Sequence, residues 1–277
     1  LRGLARICAY AAVALACVYL GYRVYRRSLP PLPAVVMHDA DLAALLAPSP
    51  AERIRHAFLG SAADDRVAGP KLIALTFDDG PYPIDTPLLL ATLRDAHVRA
   101  TFFLIGRDAE QYPGLVRAIA AGGHEIADHT QTHPNLATLD AAAVTAELTG
   151  GAATLQRFAR DPAIRHEFRP PHGSFRIATL AAAQRAGYDT ILWTDDPGDW
   201  RNVTQAALVE HITRFATSPE IVLLHNGRPV TVALLPGIIQ RFRQAGYAFV
   251  TVSELVQRLG PGPLNRAART PLPAGAG

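Results

Sequence analysis

At 277 residues, 49% hydrophobic and 18% charged, the chain has the makeup of one ordinary folded domain plus extensions, or two small domains, and not of a disordered chain. Its net charge of +3 is carried almost wholly by arginines spread along the chain, with Lys71 the only lysine, and no basic tail forms; nucleic acid is set aside as a partner on that ground. The two cysteines, Cys8 and Cys17, both lie in the apolar N-terminal stretch, so the globular part has no disulfide framework and no thiolate metal site.

From Ile7 to Tyr22 the chain reads ICAYAAVALACVYLGY without a charge, with Arg2 and Arg6 before it and Arg23, Arg26 and Arg27 after it. Extended from Leu4, it approaches the roughly 20 residues needed to cross a bilayer. Its terminal position and flanking arginines favour a transmembrane helix over a buried core helix. The ALA at 14–16, followed by Cys17, resembles a cleavage signal, but the apolar run continues past it, which favours an uncleaved anchor over residues 1–27. The arginine count on the two flanks is close to a tie and does not set the orientation. Residues 28–69 follow as linker and prologue: SLPPLP at 28–33 is a semi-rigid extended spacer, and Asp39 to Leu59 is weakly helical, interrupted by Pro48 and Pro50.

Between residues 70 and 259 short apolar runs alternate with helical patterns. Strands are expected at KLIALTF (71–77), ATFFLI (100–105), HEIA (124–127), EF (167–168), TILW (190–193), EIVLL (220–224) and AFVTV (248–252). Helices are expected over 86–96, 108–121, 138–159, 175–186, 204–216 and 231–245, with Gly122, Gly187 and Gly246 as stop signals. Such alternation predicts a parallel α/β fold, a barrel or an open sheet. The tail, 260–277, is rich in Pro, Gly and Ala and is expected to be disordered.

Ionisable residues fall in one phase of this pattern. Asp78 and Asp79 end the first strand; Asp128, His129 and His133 follow the third; Arg169 follows the fourth, Asp195 to Asp199 the fifth, and His225 the sixth. C-terminal strand ends are where a parallel α/β barrel assembles its active site, so these groups are expected to form one site. His129 and His133, in HTQTH, can meet one metal ion if the segment between them turns helically. Asp79 can add a carboxylate, giving two His and one Asp with open positions, the pattern of a catalytic metal. Zn²⁺ suits that set, and Co²⁺ or another divalent ion fits too. Asp78 and Asp79 point in different directions, so one can ligate while the other faces a metal-bound water.

TFDDGP at 76–81, HTQTH at 129–133, RPPHG at 169–173, DDPGDW at 195–200 and LLH at 223–225 resemble, in order and spacing, the five motifs of polysaccharide deacetylases with a NodB homology domain (carbohydrate esterase family 4). The resemblance spans about Lys71 to Leu259. It implies a distorted (β/α) barrel of about seven parallel strands, with Asp78 as general base and Asp79, His129 and His133 as metal ligands. It further implies that Arg169 orients the base, Asp199 pairs with the general acid His225, Trp200 packs beside that pair, and Leu223 walls the acetyl methyl. The family usually has Tyr where this chain has His172, whose backbone N–H is expected to help hold the oxyanion. The remaining histidines read as packed or surface residues, His124 among the former and His211 among the latter, with Trp193 in the core.

The expected activity is metal-dependent removal of acetyl groups from N-acetylglucosamine-type units of a cell-wall or exported glycan. Two alternatives stand beside it: an amidohydrolase acting on a small non-carbohydrate amide, and a non-catalytic glycan-binding module. The anchor and spacer favour a polymer near a membrane, with the catalytic domain outside the cytoplasm, in the periplasm or at the cell surface. Oligomeric state is not legible in the sequence.

Overall fold

The computed structural model describes residues 71–201, 204–214 and 218–259. The expected anchor, the linker and prologue up to residue 69, and the tail from residue 260 lie outside the described residues. Among the described residues no helix is long and apolar enough to cross a membrane.

Seven parallel strands form one curled sheet: β1 (Lys71–Asp78), β2 (Thr101–Leu104), β3 (Glu125–Asp128), β4 (Glu167–Phe168), β5 (Asp189–Thr190), β6 (Glu220–His225) and β7 (Tyr247–Phe249). The order is β5-β4-β3-β2-β1-β6, and β7 pairs with the first residues of β1, from Lys71 to Ile73. The curl brings the chain beyond β5 back towards β6, where Asp195 and Val222 form a bridge. The α/β expectation holds in this half-barrel form. Among the described residues eight α-helices accompany the strands: α1 (Asp85–Asp95), α2 (Gly106–Gln111), α3 (Pro113–Ala121), α4 (Ala141–Gln156), α5 (Ile177–Arg185), α6 (Gln205–Arg214), α7 (Pro229–Gln244) and α8 (Val252–Leu259).

Alternation along β1 sorts its two faces. Ile73, Leu75 and Phe77 are fully buried in the large core with Leu89 and Leu93 of α1 and Leu235 and Ile238 of α7. Ala74 belongs instead to a smaller cluster with Phe103, Ala127 and, from the chain's end, Val250, Val252 and Leu255. Two residues further on, the same face of β1 carries Thr76 and then Asp78, so the inner face turns from apolar to polar towards the strand's C-terminal end.

Three expectations need correction. The helix expected over 108–121 is two helices, because Pro113 has no N–H to continue the ladder and constrains Tyr112, which sits at φ −127°, ψ 57°. The strand expected over 190–193 stops at Thr190, and the carbonyls of Ile191 and Leu192 accept hydrogen bonds from the Arg169 side chain. The strand expected over 248–252 ends at Phe249, and Val252 begins α8, an amphipathic helix the strand pattern had concealed. The stop expected at Gly122 holds: α3 ends at Ala121 with Gly122 as its C-cap, and Gly123 takes the left-handed turn at φ 74°.

Candidate active site

Asp78, Asp79, His129, His133, Arg169, Asp199 and His225 meet at the C-terminal ends of the strands. Four of the five non-glycine residues with positive φ among the described residues also stand here: Asp79 (71°), Thr130 (71°), His133 (61°) and His172 (59°). Such conformations cost free energy and persist only where the surroundings impose them, which marks this end of the sheet as the functional one.

Asp79, His129 and His133 each offer a donor atom within 4.8 Å of the others. Asp79 Oδ1 lies 3.7 Å from His129 Nε2 and 3.3 Å from His133 Nε2. His129 Nδ1 is 2.8 Å from the Arg169 carbonyl oxygen; a carbonyl only accepts, so Nδ1 carries the proton and Nε2 presents its lone pair to the cluster. Burial pushes the His129 imidazole down to about 3 and lowers that of His133 as well. Two neutral imidazoles and one carboxylate are the donor chemistry a divalent metal requires, and the residues fit such an ion.

The segment from His129 to His133 does not turn helically, contrary to expectation: two of its residues, Thr130 and His133, are left-handed. Bonds within and beside the loop hold it, together with others from a helix. Asp128 Oδ1 accepts from Thr130 N at 2.8 Å, and Thr130 Oγ1 from His133 N at 3.0 Å. From α4, the Glu147 carboxylate accepts from both Thr132 N and Thr132 Oγ1 at 2.8 Å, and the Glu147 carbonyl from Gln131 N at 3.0 Å.

Arg169 is fully buried, with its guanidinium 4.1 Å from the centre of the Phe103 ring. Its Nη1 donates to Asp78 Oδ1 at 2.6 Å and to Thr76 Oγ1 at 2.7 Å; Nε and Nη2 donate to the carbonyls of Ile191 and Leu192. Four of the five N–H groups of the guanidinium are used, so the group that holds the Asp78 carboxylate is itself fixed. Burial raises the Asp78 pKa above the usual carboxylate value, and the opposing pull of Arg169 and His225 does not cancel it.

Asp199 Oδ1 lies 2.7 Å from His225 Nδ1, while Oδ2 accepts from His225 N at 2.7 Å and from Thr231 Oγ1 at 2.6 Å. A carboxylate only accepts, so the His225 proton is fixed on Nδ1. Burial works against a charged His225, but its bond to Asp199 and the charges of Asp199, Asp78 and Asp79 prevail, and its pKa rises above the ordinary value. The pairs Asp78–His225 and Thr76–Leu223 are register partners across β1 and β6, which puts the carboxylate and the imidazole at one level of the sheet.

Leu223 is 4% exposed, two residue pairs below Asp78 and His225 on the same strand. The His172 ring packs edge-on against His133, with centroids 4.6 Å apart, outside the donor cluster. Trp200 is 44% exposed; its Nε1 donates to Asp196 Oδ1 and Arg201 stacks over its ring at 4.4 Å. Trp193 is half-buried instead of lying in the core, and the left-handed turn at Gly173 sits so close over it that a Cβ there would meet the ring at 2.7 Å. His211, expected on a helix surface, places Nε2 2.8 Å from the buried Asp195. His124 is buried as expected, against Phe102. Thr76, Thr231 and Glu147 were missed by sequence reasoning. Only Thr76 had a signal available, two residues before Asp78 on the same strand face.

The polysaccharide deacetylase family model matches residues 65–191. The chain is 40% identical over 192 residues to the peptidoglycan-N-acetylglucosamine deacetylase of Bacillus cereus, covering 68% of this chain and 89% of that one. It is 37% identical over 163 residues to a chitooligosaccharide deacetylase of Bradyrhizobium sp. (strain ANU 289), covering 59% and 74%. Among solved structures it is similar to the family 4 carbohydrate esterase from Streptomyces lividans in complex with acetate, with a TM-score of 0.61 and 31% identity, covering 65% of this chain and 91% of that one. The chain belongs to the polysaccharide deacetylase family, carbohydrate esterase family 4, and is a hydrolase of that class.

Proposed function

We propose that this protein hydrolyses the acetamide of N-acetylglucosamine-type units in a cell-wall or exported polysaccharide, releasing acetate and a free amine. The observation that carries this reading is the gathering of two ion pairs, Asp78–Arg169 and His225–Asp199, with the Asp79–His129–His133 cluster at one end of the sheet. The relatives named for N-acetylated glycans support the substrate class.

Asp79, His129 and His133 would hold one divalent cation, for which Zn²⁺ suits the donor set. Once bound, such an ion polarises a carbonyl and acidifies water. Asp78, oriented by Arg169, which Thr76 braces in turn, takes a proton from the water that attacks the acetamide carbon. The backbone N–H of His172 steadies the developing oxyanion. His225, charged and held by Asp199, gives its other ring proton, on Nε2, to the departing nitrogen as the C–N bond breaks. Leu223 offers an apolar wall to the acetyl methyl, and the exposed ring of Trp200 a face for the sugar. The apolar segment at 7–22 supports placing this domain at a membrane, on the periplasmic or cell-surface side where such glycans lie.

Acetate release from a panel of N-acetylated glycans, with and without chelator, tests the reading. The wild-type protein is expected to release acetate in a chelator-sensitive way. Asp78→Asn is expected to lose about 10²–10⁴-fold in rate, the usual weight of a general base, while still binding metal. Turnover indifferent to chelation, or an Asp78→Asn protein of near-normal rate, refutes it.

A further inference from the structure

The segment that carries Asp199 begins at Asp195, the first carboxylate of DDPGDW and one that the reaction as derived leaves without a role. Asp195 stands on the seam where the curled sheet returns to β6. Its N–H donates to the Ile221 carbonyl at 3.2 Å, and its carbonyl accepts from Leu223 N at 2.9 Å. Beside it, Thr194 N donates to the same Ile221 carbonyl at 2.9 Å, and Ile221 N donates to Thr194 Oγ1 at 2.7 Å. Side chains two apart share a face of a strand, so the residue that Asp195 grips, Leu223, is the neighbour of His225 on its face of β6.

The Asp195 side chain is buried, and its Oδ1 lies 2.8 Å from His211 Nε2. A carboxylate only accepts, so Nε2 carries the proton. Oδ2 is buried as well and makes no hydrogen bond among the described residues, which leaves His211 as the side chain that holds this carboxylate. His211 stands on α6, whose Leu208 and Ile212 enter the large core with Leu235 and Ile238 of α7. Thr231 of α7 donates to Asp199 Oδ2 at 2.6 Å. Two helices packed on each other thus grip the two ends of one short segment, α6 at Asp195 and α7 at Asp199. A pair of this kind is a weak source of stability, because apolar residues of similar size fill the same space without its desolvation cost. What it adds over them is direction, a fixed bond that sets where the segment lies.

We propose that His211 is a positioning residue for the acid half of the reaction. Acting through Asp195, it sets the register of the 195–199 segment against β6, and so the fit of Asp199 to the His225 ring. The inference rests on the deacetylase reading and adds to it a residue outside the metal cluster and outside both ion pairs of the site.

The test measures acetate release from an N-acetylated chitooligosaccharide against pH, for the full chain and its variants. His211→Leu removes the donor and leaves the Asp195 carboxylate unpaired. The double variant Asp195→Leu, His211→Leu removes both groups, so that no buried charge is left to unfold it. Both are expected to lose about 10–100-fold in kcat, the cost of misplacing a reacting group by about an ångström. Their KM, and their metal affinity by competition with a chelator, are expected to stay close to the wild-type values. Of the carboxylates that act on His225, namely Asp78, Asp79, Asp196 and Asp199, Asp199 alone bonds its ring. A looser Asp199 holds the His225 proton less well, so the alkaline limb is expected at lower pH. Loss of a positive charge at position 211 would by itself move that limb to higher pH, so the direction separates positioning from simple electrostatics. His211→Gln, which keeps an N–H donor, is expected to retain most of the wild-type kcat. A double variant with wild-type kcat overturns the role, as does a limb displaced to higher pH. A loss of kcat with an unchanged pH profile reads as a smaller folded fraction and overturns it too. A wild-type protein that releases no acetate overturns the deacetylase reading itself.

Discussion

Each oxygen of Asp199 is occupied, one by the His225 ring and the other by the His225 amide and the Thr231 hydroxyl. That arrangement fixes both the angle of the imidazole and the position of its proton, and the attraction raises its pKa. The acid form of His225 is full below this raised pKa and is lost as pH climbs through it. Rate is therefore expected to fall on the alkaline side, and Asp199→Asn, which removes the attraction, is expected to move that limb to lower pH. A profile of kcat/KM against pH for the two proteins measures the shift; superimposable alkaline limbs would remove His225 from the acid role. Most of these residues were legible in the sequence because the chemistry needs scarce residue types at strand ends. Thr231 was not, since a threonine in the first turn of a helix carries no mark of the carboxylate it touches.

The loop from His129 to His133 shows what an element adds to its residues. Its spacing suggested a helical turn, yet the chain passes through two left-handed residues and makes no helical turn of its own. What replaces that turn is α4: Glu147 holds Thr132 through two hydrogen bonds, and Gly151 lies so near that a Cβ would meet Asp128 Oδ1 at 2.4 Å. Glu147→Ala is expected to loosen the ligand loop and weaken metal binding by about 10–100-fold, the range found when groups supporting metal ligands are removed. Competition with a chelator of known affinity measures this without reference to activity. No local pattern joins Glu147 to the histidines; only the packing of α4 over the loop does.

Below the site, the inner face of the sheet is closed by α8, whose Val252 and Leu255 join Ala74, Phe103 and Ala127. The same helix start meets two buried carboxyls from the first residues of β3 and β4: Ser253 N donates to Glu125, and Ser253 Oγ to Glu167 Oε1 at 2.8 Å. Burial, with the Glu125 charge beside it, pushes the Glu167 pKa from 4.5 up to about 9. Between those values the folded protein keeps a proton that the unfolded chain has released, so this group's contribution to stability declines as pH rises across that window. Glu167→Gln, which cannot ionise and still accepts from Ser253, is expected to gain on the wild-type protein steadily from about pH 5 to 9. Unfolding midpoints across that range check the trend, and parallel curves for the two proteins would contradict it.

By itself the sequence determined the alternation of strands and helices, the strand ends on which the carboxylates, imidazoles and buried arginine stand, and the family to which they belong. Periodicity, breakers and residue chemistry are local, and they survive in one dimension. The tertiary structure alone decided that the fifth strand stops at Thr190 and that its next carbonyls serve Arg169. It also made α8 the closure of the inner face and seated His211 on Asp195. Those outcomes come from contacts between segments far apart in the chain, where burial and hydrogen-bond satisfaction across the fold outweigh what any short stretch prefers.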